Sequence, residues 1–220
     1  EKECIGRILK FPMTEKLKKG AFFYDEHLYI NEKKVCNMNE VKLKGMHNIE
    51  NLLAAFCCVS EDISIDSMGK VAKNFAGVEH RLEVGKEIQG VKYFNDSIAS
   101  SPTRTLAGLK SFDRPVILIA GGYDKNISFD ILAKEGISHI KHLILLGDTK
   151  YKIEEAFKNI MKDSNQYIPI SICNSIEEAV NIAKENAKFG DIVTLSPACA
   201  SFDMFKNFEE RGNKFKSIIN

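Results

Sequence analysis

The chain has 220 residues, of which 44% are hydrophobic and 28% are charged, a composition typical of globular proteins. This length allows one large domain or two small ones, each with a buried core. The formal net charge is only +1, which gives no reason to expect a nucleic acid or an anionic membrane as partner. No apolar run approaches the roughly 20 residues that a membrane helix needs.

The cysteine pattern bears on the cellular compartment. The chain has six cysteines, which are Cys4, Cys36, Cys57, Cys58, Cys173 and Cys199. None of them forms a C-x-x-C pair, so the spacing suits neither a zinc site nor a disulfide framework. The pattern therefore predicts a protein of the reducing cytoplasm.

The first third of the chain predicts a β-hairpin followed by two helices. The hairpin covers about residues 19–35, with the polar turn 25–27, and residues 31–34 turn the chain again. The first helix opens near Gly45, and its Asn48 and Asn51 share one face because they are three residues apart. Their amides could bind the edge of a planar base, or they could be a helix cap and a surface residue.

The second helix is predicted from Asp66 to Phe75, with Met68, Val71 and Phe75 facing the core. The helical pattern then breaks at residues 77–83, which we interpret as a link between two domains. Arg81 in this link could bind a phosphate or a carboxylate through its planar fork, or it could simply be a solvated charge.

From residue 91 onward, strands alternate with helices. Strands are predicted at 91–94, 115–120, 142–146, 169–173 and 191–195, and helices lie between them. This alternation predicts a doubly wound α/β sheet. Ligands bind such sheets at the carboxyl ends of the strands, and the exits at 95–97, 121–125 and 196–201 carry polar or small residues there.

Two of these exits have features that favour an anionic ligand. Gly121 and Gly122 let the backbone approach a ligand, and Lys125 brings a positive charge. The last exit contains small residues and leads into a helix that we expect Asp203 to cap, an arrangement that suits anion binding. The alternatives are a surface lysine and an ordinary last strand and helix.

Five motifs resemble those of the bacterial Mur ligases, and they are closest to the members that add D-glutamate. They are G-x-H-N-x-x-N from Gly45, H-R-L-E from His80, N-D-S-x-A-S-S-P from Asn95, G-G-x-D-K from Gly121 and S-P-A-C-A-S-F-D-x-F-K-N-F-E-x-R-G from Ser196. The resemblance runs from about Gly45 to the C-terminus, and the last motif is the most specific because of its length.

The resemblance implies a nucleotide site. Asn48 and Asn51 would contact the adenine of ATP, and Arg81 would meet the nucleotide phosphates. Asp96 would belong to the environment of the nucleotide and Mg²⁺.

The resemblance also implies a D-glutamate site. Lys125 and Ser201 would hold the free carboxylate of D-glutamate, with help from the backbone near Phe208, and the Ser100 hydroxyl would make a further contact. The chain departs from the family at Ile98, where a lysine is usual, and no role is assigned to Ile98.

The implied activity is an ATP-dependent amide ligation, in which the amine of D-glutamate attacks an acyl phosphate of UDP-N-acetylmuramoyl-L-alanine. The implied fold is a truncated central α/β ATP-binding domain (residues 1–78), a hinge (79–83) and a Rossmann-like, mostly parallel C-terminal domain (84–220). We expect a monomer acting on small molecules, with no nucleic-acid or membrane partner.

The phosphate-binding motif G-x-x-x-x-G-K-[ST] does not occur in the 220 residues. We therefore expect the catalytic and metal-binding residues of the family to precede Glu1, and the chain alone to be inactive. Two alternatives stay open. One is another Mur-type or folylpolyglutamate-synthase-like ligase. The other is a non-catalytic Rossmann-like module, or a hydrolase that uses Cys199 as its nucleophile.

Overall fold

The computed structural model describes residue 6 and residues 8–43, 45–164 and 166–219. The chain divides into two compact units, Glu1–Gly77 and Val78–Asn220. Within the described part, no helix is both long enough and apolar enough to cross a membrane.

The first unit is a three-stranded antiparallel sheet with two helices. Its elements are β1 (Ala21–Tyr24), β2 (His27–Ile30), β3 (Lys33–Asn37), α1 (Met46–Val59) and α2 (Ile65–Asn74). The predicted hairpin is confirmed, and its turn has positive φ at Asp25 and Glu26, as a tight two-residue turn requires. The third strand was not predicted, because its first residues are the exposed pair Lys33 and Lys34.

The predicted inner face of α2 is partly wrong. Met68 is buried, but Val71 is 57% exposed and Phe75 is 41% exposed. The small residues Gly69 and Ala72 face the core instead. A Cβ atom at Gly69 would lie 3.2 Å from the carbonyl oxygen of Val35, so this face is set by close backbone approach rather than by large side chains.

The second unit is a six-stranded sheet between two layers of helices. Its strands are β4 (Glu83–Ile88), β5 (Val91–Asn95), β6 (Val116–Gly121), β7 (Ile140–Leu146), β8 (Ile170–Ile172) and β9 (Ile192–Leu195). Its helices are α3 (Pro102–Leu109), α4 (Asp130–Gly136), α5 (Lys150–Asp163), α6 (Ile176–Asn186) and α7 (Phe208–Ile219). The strand order is β4-β5-β9-β6-β7-β8, and β5 to β9 are parallel. The predicted doubly wound fold is confirmed.

A separate hydrophobic core covers each face of this sheet. One face of β6 and β7 packs against α3, α4 and α5. The other face packs against α6 and α7. Because β6 and β7 are buried on both faces, they are continuous apolar runs, as in other parallel sheets.

The strand β4 was not predicted. It pairs antiparallel with β5 at the edge of the sheet, and most of its residues are exposed. Charged side chains at Glu83, Lys86 and Glu87 hide the strand pattern, and the ladder has an irregularity between Val84 and Glu87. The segment that follows the predicted link is thus part of the sheet.

The order of the strands decides where a ligand can bind. The last strand, β9, lies between β5 and β6. The loops that leave β5, β6 and β9 are therefore neighbours at the carboxyl edge of the sheet. This is the point at which the winding direction changes, where open α/β sheets bind their ligands.

Candidate functional site

Direct backbone hydrogen bonds join the three loops at this edge. The N–H of Asp96, after β5, donates to the carbonyl of Leu195 in β9 at 2.8 Å. The N–H of Tyr123, after β6, donates to the carbonyl of Ala200, after β9, at 3.0 Å. The loop that carries Lys125 therefore lies beside the loop that carries Ser201.

Glycine is required where these loops meet. Gly121 and Gly122 have φ values of 115° and 148°, which L side chains rarely adopt. A Cβ atom at Gly121 would lie 1.9 Å from the carbonyl oxygen of Leu146, and one at Gly122 would lie 2.3 Å from that of Ala200. The two glycines thus allow close approach of neighbouring protein backbone, and their predicted approach to a ligand stays a prediction.

A buried arginine connects the loops after β5 and β9. Arg211, on α7, is only 1% exposed. Its guanidinium donates to the carbonyls of Ser97, Cys199 and Ala200 at 2.9–3.0 Å, and its Nε donates to the Ser97 hydroxyl at 3.0 Å. Burial lowers its pKa to about 10. All four acceptors are neutral oxygens, and they belong to both loops. Arg211 is therefore a structural bracket: it holds the two loops together and forms no ion pair with these partners.

The start of α7 differs from the prediction. The helix begins at Phe208, and the side chain of Asn207 accepts a hydrogen bond from the N–H of Glu210 at 2.8 Å. Asp203, the predicted cap, instead accepts from the N–H of Asp148 at 3.2 Å. The predicted cap is wrong because a turn follows Ser201 before the helix starts.

Phe208 is tied to the loop after β5. Its carbonyl accepts a hydrogen bond from the Ser97 hydroxyl at 2.7 Å. Its ring meets that of His80 edge to face, with 6.0 Å between centroids. The backbone of Phe208, which the resemblance places near D-glutamate, is therefore held from the β5 side.

The loop after β6 exposes Lys125. Its neighbour Asp124 forms an ion pair with Lys152 at 3.1 Å and accepts a hydrogen bond from the N–H of Asn126 at 2.7 Å. The charge of Asp124 is thus already matched, which leaves the ammonium of the exposed Lys125 for a ligand. Ser201 is buried in the adjacent loop, and Ser100 is half-buried after β5.

Asp96 lies beneath this edge rather than on it. It is 4% exposed, its Oδ2 accepts from the Ser196 hydroxyl at 2.7 Å, and its Oδ1 accepts from the N–H of Leu82 at 3.1 Å. Burial raises its pKa to about 6, although Arg81 and Arg104 act in the opposite direction. Both of its carboxylate oxygens thus have internal donors.

We predict a pH-dependent contribution of Asp96 to stability. Its folded pKa of about 6 lies above the unfolded value of 3.8, so the folded state binds the proton more tightly. The stabilisation is fully present below about pH 4 and is lost as the pH rises through 6; it amounts to about 2–3 kcal/mol. Urea denaturation should show that the free energy of unfolding of Asp96→Asn, relative to that of the parent chain, rises by this amount between pH 4 and pH 7. A pH-independent difference would contradict the assignment.

Arg81 lies on a turn with unusual backbone geometry. Its neighbours His80 and Leu82 have φ values of 63° and 43°. Non-glycine residues in this region cost of the order of 1–3 kcal/mol each and persist only where the surroundings hold them. The buried ring of His80 lies 2.8 Å from the side-chain nitrogen of Asn95, and Arg81 itself is exposed.

The two asparagines of the first unit lie on α1. Asn48 is half-buried and Asn51 is exposed, while Ile49 and Leu52 face the core. Their predicted shared face on the first turns of the helix is consistent with the helix bounds. Their contact with a nucleotide stays a prediction.

The structure does not favour the alternative of a cysteine hydrolase. Cys199 is 1% exposed and lies 3.2 Å from the Thr149 hydroxyl. Burial raises its pKa to about 11, which is the reverse of what a thiolate nucleophile needs. In the described ranges, no group of three or more His, Cys, Asp and Glu side chains could hold a metal ion.

Sequence reasoning missed the residues that hold the site together. Arg211, Ser97 and Thr149 were not singled out, although Thr149 bridges the loops after β6 and β9. A weak signal existed for Arg211, since it stands at helical spacing between Phe208 and Phe215. Its burial becomes visible only when the loops are in place.

The family model "Mur ligase, glutamate ligase domain" matches residues 80–199. The chain is 83% identical over 219 residues to the UDP-N-acetylmuramoylalanine--D-glutamate ligase of Clostridium tetani, which it covers to 48%. It is 61% identical over 218 residues to the ligase of the same name from Clostridium kluyveri, again with 48% covered. The chain thus spans about half the length of these curated relatives.

Solved structures at low sequence identity share the fold. One is the UDP-N-acetylmuramoylalanyl-D-glutamyl-2,6-diaminopimelate--D-alanyl-D-alanyl ligase of Acinetobacter baumannii, with a TM-score of 0.63, 13% identity and coverage of 97% of this chain and 46% of that one. Another is the folylpolyglutamate synthase of Mycobacterium tuberculosis, with a TM-score of 0.62, 12% identity and coverage of 86% and 44%. The match of the family model to more than half of the residues shows that the chain belongs to the Mur ligase family, through its glutamate ligase domain.

Proposed function

We propose that the chain is part of an ATP-dependent ligase that joins D-glutamate to UDP-N-acetylmuramoyl-L-alanine in the synthesis of a peptidoglycan precursor. The observation that carries this proposal is the 83% identity to the Clostridium tetani enzyme of that name along the whole chain. The geometry supports it, since the loops with Lys125 and Ser201 are neighbours at the ligand-binding edge.

In this proposal the second unit, Val78–Asn220, binds and orients the amino acid. Lys125 and the Ser201 hydroxyl hold the side-chain carboxylate of D-glutamate, and Ser100 and the backbone near Phe208 complete the site. Fixing the amine next to its target makes the bond-forming step effectively intramolecular, which lowers its entropic barrier.

The nucleotide contacts proposed for this chain are Asn48, Asn51, Arg81 and Asp96. ATP with Mg²⁺ would supply the phosphoryl group that activates the acceptor carboxylate. The exposed Arg81 is suited to phosphate, and the amides of Asn48 and Asn51 to a base edge. Within the second unit Asp96 would support Arg81, because Oδ1 of Asp96 accepts a hydrogen bond from the N–H of Leu82, the next residue, and Oδ2 accepts one from the Ser196 hydroxyl. The described residues offer no metal cluster, so we assign no Mg²⁺ ligand to them.

An amino-acid panel in a ligation assay of the full-length protein tests the substrate. We expect product with D-glutamate and little with L-glutamate, L-alanine or a diamino acid. A preference for another amino acid would favour the second candidate, a different amino-acid ligase; the folylpolyglutamate synthase shares the fold.

We predict that the purified 220-residue chain neither hydrolyses ATP nor forms the amide bond. The physical reason is that its sequence holds no G-x-x-x-x-G-K-[ST] loop to surround the β- and γ-phosphates with backbone N–H groups. Phosphate release and product formation should stay at the level of a buffer control. ATP-dependent ligation by this chain would contradict the prediction.

The proposed compartment is the cytoplasm, where the precursors of this pathway are nucleotide-linked. The cysteines Cys36, Cys57, Cys58, Cys173 and Cys199, all within the described part, are free thiols, as a reducing compartment requires.

A further inference from the structure

The turn that carries Arg81 is strained on both sides of the arginine. His80 and Leu82, which flank it, both have positive φ. Such a backbone conformation persists when surrounding contacts over-determine it, and it is concentrated at functional sites. The contacts that hold this turn therefore decide where the Arg81 side chain points.

Glu83 holds the amino side of this turn. Its Oε2 accepts hydrogen bonds from the N–H of His80 at 2.9 Å and from the side-chain amide of Asn95 at 3.0 Å. Its Oε1 accepts from the ammonium of Lys216 at 3.1 Å. Burial alone would raise the pKa of Glu83, but the hydrogen bonds from His80 and Lys216 outweigh it and hold the pKa below its usual value.

Other contacts hold the rest of the turn. The N–H of Leu82 donates to Asp96, and the carbonyl of His80 accepts from the N–H of Ile98 at 3.1 Å. The N–H of Arg81 donates to the carbonyl of Val78 at 3.2 Å. Glu83 is the anchor with a side chain that reaches the turn, β5 and α7 together, because Asn95 ends β5 and Lys216 belongs to α7.

We propose that Glu83 is a positioning residue for Arg81: it fixes the strained turn so that the guanidinium meets the nucleotide phosphates, without touching the nucleotide itself. The inference rests on the proposed function of Arg81. It predicts that the effect of Glu83 on nucleotide use passes through Arg81, which a purely structural role would not require.

The test uses the full-length ligase and compares Glu83→Met, Arg81→Ala and the double variant. Methionine keeps the length of the stem and removes both oxygens. We expect Glu83→Met to raise the KM for ATP roughly tenfold, as a misplaced positioning group does, and to leave the KM for D-glutamate within about twofold. In the Arg81→Ala background, Glu83→Met should have no further effect on the KM for ATP, because residues that act as one unit are not additive.

Two matched controls distinguish the hydrogen bonds that Glu83 makes to the turn from its ion pair with Lys216. Glu83→Gln keeps an oxygen that can accept from His80 and Asn95. Lys216→Met removes the ion pairs of Lys216 with Glu83 and Glu79 and keeps both oxygens of Glu83. Both should leave the KM for ATP within about threefold of the parent value, by the same reasoning on position.

Each outcome decides the question. No effect of Arg81→Ala on the KM for ATP would refute the proposed role of Arg81 and the inference with it. An effect of Arg81→Ala without one of Glu83→Met, or additive effects in the double variant, would overturn the inference alone. If circular dichroism shows that Glu83→Met does not fold, Glu83→Asp, which withdraws the carboxylate by one methylene, takes its place with the same expectations.

Discussion

Lys125→Ala is expected to raise the KM for D-glutamate ten- to a hundredfold in the full-length enzyme. The exposed ammonium is the proposed partner of the substrate's side-chain carboxylate, and its neighbour Asp124 is already paired with Lys152. A hydrogen bond to a charged group contributes roughly 1.5–3 kcal/mol, which corresponds to this range. Steady-state kinetics with each substrate varied in turn measure the effect.

The matched control is Lys158→Ala, which removes an exposed lysine of α5 that pairs with Glu154. It should leave both KM values unchanged. Ser201→Ala should raise the KM for D-glutamate less than Lys125→Ala does, since a neutral hydroxyl binds an anion more weakly. If Lys125→Ala raised the KM for ATP alone, the assignment of this loop to the amino acid would be wrong.

Arg211→Met is expected to lower the free energy of unfolding of the second unit by roughly 3–5 kcal/mol. The substitution leaves the carbonyls of Ser97 and Cys199 without a donor, and each unpaired buried group costs about 1–3 kcal/mol. The carbonyl of Ala200 loses one of two donors, since it also accepts from the N–H of Tyr123. Relief of the cost of burying the charge keeps the total below the sum. Urea denaturation followed by circular dichroism measures the loss.

Arg211→Lys provides the comparison for this variant. It keeps the charge but replaces a planar fork by a single point donor, which cannot reach four acceptors at once. We expect it to lose at least half as much stability as Arg211→Met. A loss below about 0.5 kcal/mol for both variants, the usual range for surface positions, would show that Arg211 does not bracket the loops.

The sequence predicts the parallel strands of the sheet and the helices between them well, but it does not predict the antiparallel edge strand. The regular apolar spacing of residues 176–186 predicts a helix over that range, and α6 has these bounds in the structure, where Ser175 caps its first turn. The edge strand β4 was missed, because a solvent-exposed strand with three charged residues has no apolar alternation to detect. Local pattern fails where tertiary pairing, rather than burial, makes the strand.

The candidate site shows a similar division. The polar exits after β5, β6 and β9 follow from strand order and residue type. The contact between these loops does not follow from the sequence, because β9 is last in the chain but lies between β5 and β6 in the sheet. For the same reason the buried bracket Arg211 could not be told from a surface arginine of α7. The late start of α7 depends on the turn after Ser201, which has no simple residue signature.

The most direct test of the central claim is a crystal structure of the full-length ligase with D-glutamate bound. The account predicts the side-chain carboxylate within hydrogen-bonding distance of the Lys125 ammonium and the Ser201 hydroxyl, at the carboxyl edge of the sheet between β5, β9 and β6. D-Glutamate bound away from both residues, with Lys125 still facing solvent, would contradict it.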